Sequence, residues 1–397
     1  MTIFFDSQMY PDELECHFKE NAKGALDYAA HNLSKAIYYG LKENGQHVRL
    51  VNIPNLGSFP VLYKKTVVKG GIIKDGESLA FWNIPKLKSY SICKVAYQKI
   101  KKKISLMPED EDIVILLYNA KLLPIVPKLK KLRPTLKVCM IVTDLPEYMV
   151  TPNSFLYKLV DAINPHKSSF NTEAYSYVDG YVLLAPLMSE KLPINGRQWI
   201  QMEGIYESTS EIVEVKKSQY KAILYTGNLS RRYGIIELLD AFGAIESQDY
   251  RLWLRGGGDC EDIIRDRMKN DDRITLIPPL SRDELIKLQK EATVLVNPVS
   301  PAQIFTNYFF PSKTLEYLAS GTPVLMYHLS CLPKEYDEHI YYIDEDSVYG
   351  IKKKLIEVCS KQEEELQEFG KQASTFIFEN KTPGKQMKKV VDFIKTL

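Results

Sequence analysis

The chain has 397 residues, too many for one ordinary hydrophobic core, so two domains are expected. Apolar residues make up 45% and charged residues 26%, the balance of a soluble globular protein, and a formal net charge of +2 provides no overall field for nucleic acid. The six cysteines, Cys16, Cys93, Cys139, Cys260, Cys331 and Cys359, are scattered without a Cys-x-x-Cys pair, which fits reduced thiols in a cytoplasmic protein and argues against a disulfide frame or a zinc site. No basic region followed by an apolar run opens the chain, so no signal peptide is expected, and no stretch is apolar for long enough to span a bilayer.

In chain order, Ile3–Phe5 reads as a first strand, followed by a long polar loop from Asp6 to Asn21. A helix is expected over 25–41, ending at Glu43-Asn44-Gly45, and a strand over 48–52. Residues 53–85 are irregular to β-like, with turns at Gly70-Gly71 and Asp75-Gly76. The segment 86–103 spaces Leu87, Ile92, Val95, Ala96 and Ile100 roughly as a helix and fills the rest with lysine. A basic amphipathic helix of this kind suits an anionic membrane surface, and equally an ordinary domain helix with a solvated lysine face. Ile113–Tyr118 and Val138–Thr143 are continuous apolar strands of the parallel-sheet type. Ligands of open α/β sheets sit at strand carboxyl ends, which places Asn119 and Asp144 where chemistry happens. The proline-containing segment 145–167 reads as a mobile binding loop, followed by a helix over 168–178, strands over 180–184 and 199–203, and a polar linker over 204–219.

A second α/β series follows. Its strands are expected at 222–226, 251–254, 274–277, 294–297 and 324–326, with two more units around 340–343 and 348–359 and helices over 362–378 and 384–396. Ser281-Arg282-Asp283-Glu284 is a capping box that opens a helix reaching Glu291. Four loops leave strand ends in succession. The first carries Gly227, Asn228, Arg231 and Arg232, in which a glycine admits close backbone approach and an arginine suits a diphosphate. The second carries Gly256 and Gly257, and the third brings Leu280 to where it packs on a base. The fourth is the stretch Phe310-Pro311-Ser312-Lys313-Thr314-Leu315-Glu316-Tyr317, in which Ser312 is the N-cap of a short helix stopped by Gly321 and Pro323. A lysine in a first helical turn is unfavourable unless an anion shares the site, so Lys313 points to a phosphate and Glu316, one turn on, to hydroxyls beside it. The plain alternative is a surface Lys313–Glu316 pair.

The order Gly-Asn-Leu-Ser-Arg-Arg, Gly-Gly-Gly-Asp, Pro-Pro-Leu-Ser and Phe-Pro-Ser-Lys-x-x-Glu-Tyr-Leu-Ala-Ser-Gly-x-Pro-Val resembles the family-four (group 1) glycosyltransferases over roughly residues 220–360. The resemblance implies a GT-B fold: an α/β chain of two Rossmann-like domains facing a cleft, with the C-terminal helix crossing back to the N-terminal domain. The expected division is 1–204 for an acceptor-binding domain, 205–380 for a sugar-nucleotide-binding domain and 381–397 for the returning helix. The resemblance further implies a retaining reaction without metal or other cofactor, in which Arg231 or Arg232 and Lys313 hold the diphosphate, Glu316 the ribose hydroxyls, and Leu280 and its neighbours the base. Asp144 is the candidate first-domain residue near the reacting centre. The motif adds Gly227, Asn228, Gly256, Gly257, Tyr308, Pro311, Ser312 and Thr314 to the substrate-binding set. The chain departs from the family pattern in carrying Tyr308 where a glutamate contacting the donor sugar is usual, and Tyr233 where a lysine is usual.

The reading is therefore a hexosyltransferase-type enzyme that moves a sugar from a nucleoside-diphosphate sugar to a carbohydrate or lipid-linked carbohydrate acceptor in surface polysaccharide or glycan synthesis. It would be cytoplasmic, with peripheral membrane contact through 86–103 and no nucleic-acid partner. A sugar-nucleotide epimerase on the same fold, or a non-catalytic sugar-nucleotide-binding subunit, are the alternatives.

Overall fold

The computed structural model of the protein describes residues 1–145, 172–207 and 215–397. The expected binding loop, much of the helix expected from 168 and the middle of the expected linker lie outside the described residues. The chain divides into two compact units, one of residues 1–184, 188–205 and 383–397, the other of residues 185–187 and 206–382.

The first unit comprises β1 (Thr2–Ser7), α1 (Asp12–Asn21), α2 (Tyr28–Glu43), β2 (His47–Asn52), β3 (Val67–Val68), β4 (Gly71–Ile73), β5 (Gly76–Ser78), β6 (Phe81–Trp82), α3 (Leu87–Ile104), β7 (Ile113–Tyr118), α4 (Val126–Leu132), β8 (Lys137–Val142), α5 (Thr172–Tyr175), β9 (Gly180–Leu183), α6 (Met188–Lys191) and β10 (Gln198–Gln201). Eight strands form one sheet in the order β10-β9-β8-β7-β1-β2-β5-β4, while β3 and β6 pair as a separate antiparallel ribbon. Every residue of β1 and β7 is buried, as expected of strands covered on both faces. Where a polar loop was expected before Asn21, the chain forms α1: Leu14, Phe18 and Asn21 recur at helical spacing on its buried face, and Asp12, Glu13 and Glu15 complement the dipole of its first turn.

The second unit holds β11 (Lys221–Asn228), α7 (Ile235–Gly243), β12 (Tyr250–Gly257), α8 (Glu261–Asn270), β13 (Ile274–Ile277), α9 (Arg282–Glu291), β14 (Val294–Asn297), α10 (Lys313–Ala319), β15 (Val324–Tyr327), β16 (Tyr341–Ile343), α11 (Val348–Cys359) and α12 (Glu363–Asn380). Its six strands are all parallel and run β13-β12-β11-β14-β15-β16, the doubly wound order in which the chain reverses direction between β11 and β14. The expected capping box is present: Ser281 Oγ accepts from the Glu284 amide, and the Glu284 carboxylate accepts from the Ser281 amide at 2.7 Å.

The last helix, α13 (Pro383–Thr396), belongs to the first unit, as the resemblance implies. Its Met387, Val390, Val391 and Ile394 join Ile37, Tyr38 and Leu41 of α2 in one apolar core. Gly40 makes the approach possible, since a Cβ there would stand 2.2 Å from the Pro383 carbonyl oxygen.

Gly227-Asn228 and Gly256-Gly257 are strand residues rather than free loop: the first pair lies in register with the second at the ends of β11 and β12. Gly256 has φ +151°, and a Cβ on it would meet the Gly227 carbonyl oxygen at 1.7 Å. The glycine therefore serves the joining of two strands, in a conformation that L side chains rarely adopt. Gly256→Ala is expected to destabilise the protein by roughly 2–4 kcal/mol through strain and overpacking. Urea unfolding would show the shift in midpoint, and a midpoint equal to wild type would refute the steric account.

Candidate functional site

Lys313 opens α10, preceded by the buried Phe310 and Pro311 and the exposed Ser312. Its Nζ donates a 2.8 Å hydrogen bond to the Tyr225 hydroxyl and lies 4.0 Å from the centroid of the Tyr225 ring. The Tyr225 hydroxyl in turn donates to the Asn228 carbonyl at 2.7 Å. A Cβ at position 227 would come within 2.8 Å of the ammonium, and Gly227 has φ +134°. The glycine thus clears the space above the lysine, a role that does apply at Gly227 although Gly256 is taken up by strand joining.

The alternative of a Lys313–Glu316 ion pair is not realised: among the described residues Lys313 forms no ion pair. Burial pushes its pKa down to about 7, with the Glu316 charge acting weakly in the opposite direction. Glu316, one turn on from Lys313, is solvent-exposed, yet desolvation by the protein around it holds its carboxyl above the usual value, against the pull of Arg282 and Lys313.

The two arginines part company. The Arg232 guanidinium lies 4.2 Å from the centroid of Phe305 and 5.3 Å from that of Tyr233, and Lys313 Nζ lies 5.8 Å from the same Tyr233 ring. Tyr233, where the family usually has lysine, is thus the aromatic surface on which both cations converge, and Tyr233 meets Phe305 edge-on at 5.9 Å. Arg231 is exposed, and its amide donates to Asp259 Oδ1 at 3.1 Å. The Asn228 side chain accepts from Ser230 Oγ at 2.5 Å.

Other candidates are placed differently from expectation. Ser312 sits at the N-cap position in a helical conformation and makes no side-chain capping hydrogen bond, so α10 begins without the expected Ser312 cap. Thr314 is buried, and its hydroxyl faces the Met326 sulfur at 3.9 Å rather than a ligand. The site therefore rests on the Lys313 side chain more than on a two-turn helix end. Leu280 and Tyr308 are partly exposed. One residue that sequence reasoning passed over anchors the arrangement: the hydroxyl of the fully buried Tyr317 accepts from the Thr226 amide at 2.7 Å, tying α10 to the end of β11. A second is Asn297, which ends β14 at the reversal point. It is 1% exposed, and among the described residues neither amide atom has a hydrogen-bond partner. An asparagine closing the apolar run Val294–Val296 was the available signal.

In the first unit, Asp144 follows β8 and is exposed; its carboxylate accepts from Thr143 Oγ1 at 3.1 Å, and surrounding protein raises its pKa. Thr143 and Asn119 are bonded reciprocally at 3.0 Å, with Asn119 at φ +60°. The sequence reading missed Asp6, which lies on β1 beside β7, is 1% exposed and, among the described residues, has no side-chain hydrogen-bond partner, only the Tyr118 backbone near its carboxylate. Burial raises its pKa far above the usual carboxylate range, with Lys121 opposing. Among the described residues no group of three or more His, Cys, Asp or Glu is placed to hold a metal ion.

Residues 220–361 match the family model described as "Glycosyl transferases group 1". No curated protein sequence matches the chain. Among solved structures, trehalose-6-phosphate from E. coli bound with UDP-2-fluoro glucose is similar, with a TM-score of 0.60 at 9% identity over 100% of this chain and 99% of that one. The α,α-trehalose 6-phosphate synthase of Burkholderia multivorans gives 0.58 at 10% identity, over 100% and 98%. A mutant of S. aureus TarM, in complex with Fondaparinux, alpha-GlcNAc-glycerol and UDP, gives 0.52 at 12% identity over 80% of this chain and 60% of the TarM chain. The identities are low enough that these likenesses speak to the fold alone. Residues 220–361 are thus similar to group 1 glycosyl transferases, and the whole chain has the GT-B fold with its two Rossmann-like units.

Proposed function

We propose that the protein is a retaining glycosyltransferase that moves a hexosyl group from a nucleoside-diphosphate sugar to a hydroxyl acceptor, without a metal or other cofactor. The observation that carries this reading is Lys313: a desolvated ammonium, with no carboxylate paired to it, held over the space left by Gly227 at the reversal point of the second unit's sheet. A partly buried cation without a carboxylate beside it is costly unless an anion completes its surroundings. Arg232, sharing Tyr233 with it, adds a second positive group of planar shape suited to phosphate oxygens. The E. coli and S. aureus structures of this fold hold UDP-2-fluoro glucose and UDP respectively, and a uridine diphosphate sugar is the donor proposed here.

In the proposed reaction the bond from the anomeric carbon to the diphosphate oxygen breaks, and the charge gathering on that oxygen is held by Lys313 and Arg232. The acceptor hydroxyl bonds to the anomeric carbon from the face the diphosphate leaves, and passes its proton to the leaving phosphate oxygen. Arg231 flanks the diphosphate, Glu316 takes the ribose hydroxyls, Leu280 flanks the base, and Asp144 belongs to the acceptor side. The acceptor would be a carbohydrate or lipid-linked carbohydrate of surface polysaccharide or glycan synthesis, met on the cytoplasmic face of a membrane. Tyr308 in place of a glutamate favours one other reading, a subunit that binds the sugar nucleotide without turning it over. A panel of labelled sugar nucleotides separates transfer, epimerisation and binding alone.

Lys313→Ala is expected to weaken binding of uridine diphosphate by roughly 1.5–3 kcal/mol, the range for a charge-assisted hydrogen bond. Calorimetry showing wild-type affinity would remove Lys313 from the site. The sign of the pH dependence follows from the free-state pKa of about 7. At pH 8 the unliganded lysine is mostly neutral, and an anion that favours the ammonium raises its pKa. Binding of a nucleoside-diphosphate sugar, which has no phosphate proton titrating there, should therefore take up a proton at pH 8 and weaken as pH rises above 7. Calorimetry in buffers of different ionisation enthalpy reads this uptake directly; equal heats in all of them would contradict it.

A further inference from the structure

The apolar stripe along the lysine-rich helix α3 is not offered to a bilayer. Ile92, Ala96, Ile100 and Ile104 are 0–2% exposed, turned into the first unit, and the outer lysines are partly engaged, Lys99 with Glu77 at 2.6 Å. Exposed apolar surface gathers instead beside the start of that helix. In the β3/β6 ribbon, Val68 and Phe81 pair on the buried side, while Val67 and Trp82 pair on the other side and are 47% and 51% exposed. Hydrogen bonds bind neighbouring segments to this ribbon. The Trp82 amide donates to Ser91 Oγ of α3 at 3.0 Å, the Asn83 amide to the Thr66 carbonyl at 2.7 Å, and the Phe59 amide to the Asn83 carbonyl at 3.0 Å. These contacts bring up Tyr90, 59% exposed, from α3 and Val61, 61% exposed, from the turn after Phe59.

The charge around this surface has one sign. Residues 56–90 contain six lysines and two acids, Asp75 and Glu77. Both acids are paired with lysines from outside that stretch, Asp75 with Lys42 at 3.0 Å and Glu77 with Lys99. Lys64, Lys65, Lys69 and Lys86 are exposed, and among the described residues none of the four is in an ion pair. An exposed apolar cluster of this kind marks an interaction surface. Tryptophan and tyrosine favour the boundary between water and hydrocarbon, where one end of the ring is wet and the other apolar. Lysines that lack carboxylate partners are attracted to anionic headgroups within a Debye length. A protein partner matching this surface would need acidic groups around an apolar centre, whereas an anionic bilayer presents both at once in the right layers.

We infer that Val67 and Trp82 of the ribbon, with Val61 and Tyr90, form an interfacial patch that seats the protein on an anionic lipid surface, ringed by Lys64, Lys65, Lys69 and Lys86. The patch does not depend on the donor-site reading, and its test uses binding alone.

The full chain is sedimented with vesicles of phosphatidylcholine alone and of phosphatidylcholine with phosphatidylglycerol. Binding is expected only to the second, falling with salt. The double variant Val67→Ser, Trp82→Ser keeps every charge and is expected to bind at least about tenfold more weakly, because two exposed apolar side chains no longer enter the interface. Replacing the four lysines with glutamine should abolish the preference for phosphatidylglycerol, whereas Lys101→Gln with Lys102→Gln should leave most of it. Trp82 fluorescence should shift blue with anionic vesicles, and the shift should vanish in Trp82→Phe while circular dichroism stays that of the wild type. Equal binding by the double variant, no binding to either vesicle, or a self-association that Trp82→Ser removes would each overturn the assignment.

Discussion

An ammonium group resting on the ring and hydroxyl of Tyr225, beneath a position where only glycine leaves room, sets the terms for the whole second unit. A charge so placed loses much of its hydration, and within the protein it recovers only a phenolic hydroxyl and the faces of two aromatic rings. The surrounding structure is arranged to hold it there. Tyr317 fastens the helix that carries Lys313 to the backbone of Thr226, and the tight joining of β11 to β12 through Gly256 fixes the strand end on which Tyr225 and Gly227 sit. A helix of two turns has little dipole of its own to contribute, so the positive character of the site comes from side chains and their placement.

That placement follows from topology. In a doubly wound sheet the two strands on either side of the reversal point send their connections to opposite faces, and an opening is left between their carboxyl ends. Here those strands are β11 and β14, and Gly227, Asn297 and the approach to Lys313 all belong to them. Asn297 is buried at that edge, and the described residues supply neither atom of its side-chain amide with a hydrogen bond. The first unit repeats the topology: its reversal falls between β1 and β7, and there a buried acid, Asp6, lies beside a lysine of opposite charge, Lys121.

The lysines of the first unit show how position alters the meaning of composition. As a stretch of sequence, 86–103 reads as a basic amphipathic helix, and its apolar positions carry the suggestion of a membrane-facing stripe. Folding assigns that stripe to the core. The exposed apolar side chains lie upstream, in a ribbon too short to register in any periodicity, where alternation across two residues per strand puts Phe81 inward and Trp82 outward.

From sequence alone, the α/β alternation, the parallel character of the strands, the limits of β13 and β14 and the capping box at Ser281 were all legible, because each depends on local periodicity or on groups three residues apart. The motif around Lys313 was legible too, as a resemblance and as an unfavourable charge in a first turn. Longer-range partners were not. That Tyr233 gathers Arg232 and Lys313, that Tyr317 reaches Thr226 ninety-one positions away, and that Gly256 serves a strand junction while Gly227 clears a cation all depend on strand register and on which side chains meet across it. Asp6 and Asn297 look like ordinary polar ends of apolar strands in the chain. Only the packing of neighbours around them decides that they are buried, since desolvation is a property of the surroundings and not of the residue.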